Sequence, residues 1–112
     1  MKSVVRVGSA KKDLQQNFSS EAREARKEAG YQIYRIQTGL DPKDWKPVIR
    51  VGLGVREIRI HVENEYRILY VAGSEDAIFI LHAFVKKTQK TSRRDLELAK
   101  ERLALITKER RS

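Results

Sequence analysis

At 112 residues the chain has the length of a single domain, enough to bury about two-thirds of its unfolded surface around one core. Its 24 Lys and Arg against 15 Asp and Glu leave a net +9, which points to a polyanionic partner: nucleic acid first, an acidic protein second, a membrane surface third. Zero cysteines remove disulfides, thiol nucleophiles and thiolate metal sites, two histidines are too few for most zinc sites, and no apolar run reaches the roughly 18 residues of a membrane span. Met1–Gly8 lacks the apolar core of a signal peptide, so the expected location is cytoplasmic and any catalysis is expected to be free of metal and cofactor.

Val4, Val5 and Val7 around Arg6 predict a short first strand closed by Gly8 and Ser9. Ser9 is placed to cap a short helix in which Leu14 and Phe18 fall four apart on one face. A longer amphipathic helix follows, with Ser19 or Ser20 as cap, Glu21 in its positive first turn, and Ala22, Ala25, Ala29, Ile33, Ile36 and Leu40 recurring at intervals of three and four. Gly39 offers a C-cap and Pro42 prevents continuation. From Leu40 to Gly54 the signals are turns, with at most a brief extended piece at Val48 to Val51. Trp45 in this stretch reads either as a clamp over the core edge or as a surface for base stacking.

Val55 to Val62, Tyr66 to Ala72 and Ala77 to Val85 read as three successive strands of an antiparallel meander. With a three-residue turn at Glu63 to Glu65, Ile58, Ile60, Val62, Tyr66, Ile68 and Tyr70 share one apolar face. A four-residue turn at Gly73 to Asp76 adds Phe79, Leu81 and Ala83 to that face. It also sets Arg67 directly opposite His82, with Arg59 on their side of the sheet. Ser92 then caps a last helix through about Lys108, striped with Leu96, Ala99, Leu103 and Ile106. Between Val85 and Ser112 ten basic residues face four acidic ones, so most of the excess charge lies beyond the strand that carries His82.

Arg59, Arg67 and His82 on one face, with Lys86, Lys87 and Lys90 at its rim, suit RNA cleavage by internal transfer. There the ribose 2′-hydroxyl attacks the adjacent phosphorus, and the site needs a base, a cationic clamp and an acid for the leaving 5′-oxygen. Guanidinium forks hold phosphate bidentately, while an imidazole exchanges protons near neutral pH. This assigns Arg59 and Arg67 to the clamp, His82 to proton transfer, and Lys87 to proton donation or charge stabilisation. The plainer readings stand beside it: His82 as a hydrogen-bonded structural residue, Arg59 paired with Glu57, the lysines as solvated loop charges, and His61 as incidental.

The same residues carry a resemblance. GVREIRI (54–60), YRILYV (66–71), LHAFVKKTQKT (81–91) and RRDLELAKERL (93–103), after an opening VVRVGSAKKDL (4–14), resemble the Gp49-like group of phage-derived HigB toxins in the RelE/ParE superfamily. The resemblance implies one compact α+β domain over residues 1–112, ordered β-α-α-β-β-β-α, with its helices packed on one face of the meander. It implies mRNA cleavage on the ribosome, and neutralisation by a helix-turn-helix antitoxin of the HigA/Xre type encoded alongside, with a heterotetramer among the assemblies expected. It places the group's functional positions on Arg59, Arg67, His82, Phe84, Lys86 and Lys87, of which Arg59, Arg67, His82 and Lys87 are the expected catalytic residues; RNA or ribosome binding is expected of Arg56, Lys86, Lys90, Arg93 and Arg94. Val85 and Glu57 depart from the group's pattern, which often carries a polar or aromatic residue at the first place and, in some members, a second basic residue at the other. The competing class is a binding module of the ParE type that traps DNA gyrase without chemistry. A DNA-binding protein ranks third, for want of a groove-reading motif.

Overall fold

A computed structural model describes residues 1–18, 22–73 and 76–111. The elements are β1 (Ser3–Arg6), α1 (Ala10–Asn17), α2 (Arg23–Gln37), β2 (Trp45–Pro47), β3 (Val55–Val62), β4 (Asn64–Val71), β5 (Ala77–Val85) and α3 (Arg93–Arg111). They form an α+β domain around a five-stranded sheet of order β1-β5-β4-β3-β2. The pairings are antiparallel except β1 with β5. No helix among the described residues is long and apolar enough to cross a membrane.

The helix ends follow from local chemistry, though not all as expected. Ser9 occupies the cap of α1 but makes no side-chain capping bond. The expected cap of α2 at Ser19 or Ser20, and Glu21, lie outside the described residues. At the other end of α2, Gly39 (φ 92°) donates to the Ile36 carbonyl and Leu40 to that of Arg35, the paired reverse bonds that close a helix on a left-handed glycine. Leu40 therefore falls beyond the helix and is exposed. In α3 the Ser92 hydroxyl accepts from the Asp95 amide at 3.1 Å and donates to the Asp95 carboxylate at 2.6 Å, the reciprocal cap of a helix N-terminus.

The expectation that the helices share one face is corrected. Ala25, Ala29 and Ile36 of α2, with Ala10 and Phe18 at the ends of α1, pack on Ile58, Ile60, Tyr66, Ile68, Tyr70, Ile78 and Ile80. On the other face Leu96, Ala99 and Ile106 of α3, together with Val51, cover Val55, Leu69, Leu81 and Phe84. Strands β4 and β5 carry large apolar side chains on both sides, and those of the second side, each worth about 1.5–3 kcal/mol of burial, would be exposed without α3 above them.

Register differs too. The β3–β4 hairpin turns at Glu63, the one non-glycine residue described with positive φ (64°), and pairs Val62 with Asn64, so each partner is shifted by two residues from the expected turn. The set Ile58, Ile60, Val62, Tyr66, Ile68 and Tyr70 still shares a face, because a shift of two preserves side-chain parity. In β5 the pairing skips at Leu81: Tyr70 faces Ile80, whereas Leu69 faces His82. This bulge turns Leu81 and His82 to the same side, moving Phe79 and Leu81 to the α3 face and leaving Ala83 on the other. Ser74 and Glu75, in the expected Gly73–Asp76 turn, lie outside the described residues. β2, absent from the expected element order, is a three-residue edge strand ending in proline.

Candidate functional site

The sheet face under α3 carries two separate polar centres. One surrounds His82. Its Nε2 is 2.6 Å from Asp95 and its Nδ1 3.1 Å from Asp13, and the ring stacks on Phe84 at 5.1 Å between centroids. Arg102, seated within the apolar stripe of α3, donates to Asp13 and to the Leu81 carbonyl at 2.9 Å, and lies 3.2 Å from His82 Nδ1. The bulge is what turns that carbonyl and the imidazole toward α3. The imidazole is 4% exposed and borders neither of the open clefts at the exit of β5. Its neighbours thus tie α1, β5 and α3 together. Asp13, Asp95 and Arg102 are not among the site residues expected from the sequence; a lone arginine in the stripe Leu96, Ala99, Ile106 was the available signal.

The second centre lies where β3, β4 and the exit of β5 meet. Arg59 and Arg67 are directly opposite each other across β3 and β4. The expected pairing of Arg67 with His82 is not formed: Arg67 faces Phe84, because turn length and bulge move β5 along. Between the two guanidinium groups sits Glu57, 1% exposed, with one carboxylate oxygen 3.4 Å from Arg67 Nε, 3.8 Å from Arg59 Nε and 3.8 Å from Lys46 Nζ. None of these contacts is a hydrogen bond, and both Glu57 oxygens lack a hydrogen-bond donor among the described residues. An opposite charge about 4 Å away interacts by roughly 4 kcal/mol at an effective dielectric of 20, so Glu57 offsets the repulsion of the stacked cations. It does so while forgoing the hydrogen bonds that a buried carboxylate ordinarily requires.

Lys86 completes the ring. Its backbone amide donates to the Glu65 carbonyl at 2.7 Å, which holds the exit of β5 against β4. Burial lowers the pKa of its ammonium; Glu57 opposes this, while Arg67, Lys46 and Arg59 push the same way as burial. Lys86 and Gln89 form the wall shared by two open clefts. One, of about 710 Å³, is bordered by Lys46, Glu57, Lys90 and Arg93, and the other, of about 650 Å³, by Glu65, Arg67, Lys87 and Thr88.

The expected site residues therefore divide. Arg59, Arg67 and Lys86 gather around Glu57, while Lys87, Lys90 and Arg93 line the clefts beside them. Arg93 is also paired with Glu97 at 3.5 Å, and Arg94 is exposed on the first turn of α3. Arg56 is not part of the cluster: it points to the α2 side, its guanidinium 4.0 Å over the Trp45 ring and 2.7 Å from Asp41. Trp45 is thereby occupied as a cation–π platform. His61, read as incidental, bridges Asp44 at 2.6 Å and Glu65 at 2.5 Å on the exposed end of β3, and both carboxylates raise its pKa.

The fold and this cluster define a small basic α+β domain with a cationic cleft on one sheet face. The phage-derived protein Gp49-like family model matches residues 16–104, and the chain belongs to that family. No curated protein shows significant similarity to the chain.

Proposed function

We propose that the chain is a HigB-like toxin of the RelE/ParE superfamily, half of a type II toxin–antitoxin pair, which acts in the cytoplasm by metal-free endonucleolytic cleavage of mRNA on the ribosome. Membership of a phage-derived family supports the setting. The chemistry rests on one observation: a buried carboxylate without a hydrogen bond among the described residues, ringed by Lys46, Arg59, Arg67 and Lys86 at the edge of an open cleft. In this reading Arg59 and Arg67 hold the scissile phosphate and the charge that develops on it. Glu57 accepts the 2′-hydroxyl proton, and Lys86, its pKa lowered, donates to the departing 5′-oxygen, leaving a 2′,3′-cyclic phosphate. His82, enclosed by Asp13, Asp95 and Arg102, serves the architecture behind the site, and Lys87 contributes charge from the second cleft.

A pairing of Arg67 with His82 would have told this reading from the gyrase-trapping alternative, and that pairing does not form. Glu57 separates the two instead. A carboxylate buried among cations offsets their repulsion in either reading, so what tells the two apart is whether cleavage depends on Glu57. The test is Glu57→Gln in single-turnover cleavage of an mRNA, with and without ribosomes, alongside RNA affinity. Removing a general base lowers the rate by about a hundred- to ten-thousand-fold, while removing a negative charge from a phosphate site leaves binding equal or tighter. A variant that cuts at the wild-type rate sinks the ribonuclease mechanism built on Glu57. DNA breakage without mRNA cleavage in arrested cells favours the gyrase reading.

A further inference from the structure

Six charged side chains at the cationic centre close a circuit of alternating sign. Glu57 lies between Arg59 and Arg67, at 3.8 Å and 3.4 Å. On the other side Asp44 stands 3.8 Å from Arg59 and Glu65 3.8 Å from Arg67, and His61 joins these two carboxylates at 2.6 Å and 2.5 Å. We propose that His61 is a positioning residue for the phosphate site: its protonated ring holds Asp44 and Glu65 off Arg59 and Arg67, so that RNA is gripped while the imidazole is charged and released when it is neutral.

The geometry carries this in three steps. Each carboxylate gives one oxygen to His61 and the other to an arginine: Asp44 offers Oδ2 and Oδ1, Glu65 offers Oε2 and Oε1. Both lean toward His61, by more than 1 Å. An ionised carboxylate only accepts hydrogen bonds, so two such contacts on one imidazole fit the form with a proton on each nitrogen. Asp44 first, then Glu65, raises the pKa of the ring accordingly.

A neutral imidazole keeps one N–H and turns a lone pair to the other carboxylate. That carboxylate then has a guanidinium as its nearest donor, 3.8 Å from its second oxygen. Asp44, His61 and Glu65 are all about half exposed, so neither acid is locked in place by packing. Once it closes on Arg59 or Arg67 it occupies the fork that a phosphate needs. The balance of charge changes with it: three cations face three anions while His61 is protonated, and two face three afterwards. Around this circuit the charged neighbours are Lys46 beside Glu57 on β2 and Lys86 at the exit of β5.

The inference rests on the proposed function in taking Arg59 and Arg67 to hold RNA phosphate. The test is the affinity of the full chain for a labelled oligouridylate with 2′-O-methyl sugars, which cannot be cleaved, followed by anisotropy from about pH 6 to pH 8.5 at constant ionic strength. Wild-type affinity should fall by about 3- to 10-fold more across this range than that of His61→Gln, which binds weakly throughout. His61→Arg, cationic at every pH, should stay tight. Lys86 adds a slope common to all three, so the difference between the profiles is what is read. In Asp44→Asn/Glu65→Gln the binding should be tight, and adding His61→Gln should change nothing, because no carboxylate remains to be held. Parallel profiles for wild type and His61→Gln, in a chain that still cleaves mRNA, overturn the inference and leave the ribonuclease reading standing. An equal loss from His61→Gln with and without the two carboxylates makes His61 a direct phosphate contact and overturns its positioning role. No binding by the wild type at any pH overturns the phosphate site and the inference together.

Discussion

Arg59 and Arg67 stand directly opposite each other on adjacent strands, an arrangement that disfavours a sheet unless an anion lies between them. Glu57 is that anion within the chain, at 3.8 Å from one and 3.4 Å from the other. Fork geometry, rather than charge alone, matters for a phosphate held by both. Arg67→Lys is expected to keep the fold and lower single-turnover cleavage by roughly 10- to 100-fold. The double variant Arg59→Lys/Arg67→Lys should be little worse than the poorer single one, because both act on one transition state. Strict additivity of the two losses would show that the arginines hold different phosphates.

The centre around His82 should behave as architecture. Arg102→Met leaves Asp13 without its cation and the Leu81 carbonyl without its donor. Breaking a buried pair costs about 3–5 kcal/mol, and partial exposure of Asp13 brings the expectation to the lower end or below. For a domain of this size that is a fall of roughly 10 °C or more in Tm. His82→Gln should also melt early, with RNA affinity within about twofold of wild type and cleavage by the folded fraction retained. A His82→Gln protein with unchanged Tm and abolished cleavage would return proton transfer to the imidazole.

RNA binding should divide the basic residues by position. Lys86→Gln, Lys90→Gln and Arg93→Gln, which border the larger cleft, should each weaken binding and reduce the salt slope by about 0.7 per lost phosphate contact on single-stranded RNA. Arg56→Gln should leave the slope unchanged and lower Tm instead, since it removes the cation from above Trp45. Equal slopes for all four variants would mean that the cleft does not track the RNA backbone.

His61 provides a pH signature. Hydrogen bonds to Asp44 and Glu65 favour its protonated form and raise its pKa in the folded chain. The stabilisation is therefore fully present below the unfolded histidine value of about 6.5 and is lost as pH rises through the raised folded value. Thermal melts should show the wild type losing stability relative to His61→Ala between about pH 6 and pH 8. A constant difference across that range would count against the bridge.

Two glycines should respond oppositely to alanine. At Gly30 the added methyl meets open space on a helix, and Gly30→Ala is expected to stabilise by about 0.5–1 kcal/mol. At Gly52 a Cβ would collide with Leu103 Cδ2, so the loop and α3 must separate or Leu103 must move. Gly52→Ala should cost about 1–3 kcal/mol by overpacking, read as a fall in Tm.

The sequence disclosed periodicity but not distance. The stripe Leu96, Ala99, Leu103, Ile106 announces α3, and the alternation of β3 announces its buried face, because both patterns depend on neighbours along the chain. Which face α3 covers depends on the whole sheet. The hint lay in β5, where Phe79, Leu81 and Phe84 are as apolar as Ile78 and Ile80 and need cover of their own. The bulge at Leu81 leaves no local mark, so Arg67 and His82 share a face yet belong to different centres. Glu57 was legible as a partner for Arg59, though not its near-complete burial nor its further contacts with Arg67 and Lys46 on the flanking strands. β2 escaped notice because three residues ending in proline carry no period.

The bond between Asp13 and Arg102 joins positions 89 residues apart, and β1 completes the sheet only by lying alongside β5. Neither can form while the latter part of the chain is still being synthesised. Contacts of such long range make folding slow and late, since the cost of closing the loop falls before any reward arrives. A nascent chain therefore stays incomplete beside the ribosome that makes it until α3 has emerged, and whatever this domain does to its target waits on α3 reaching the sheet.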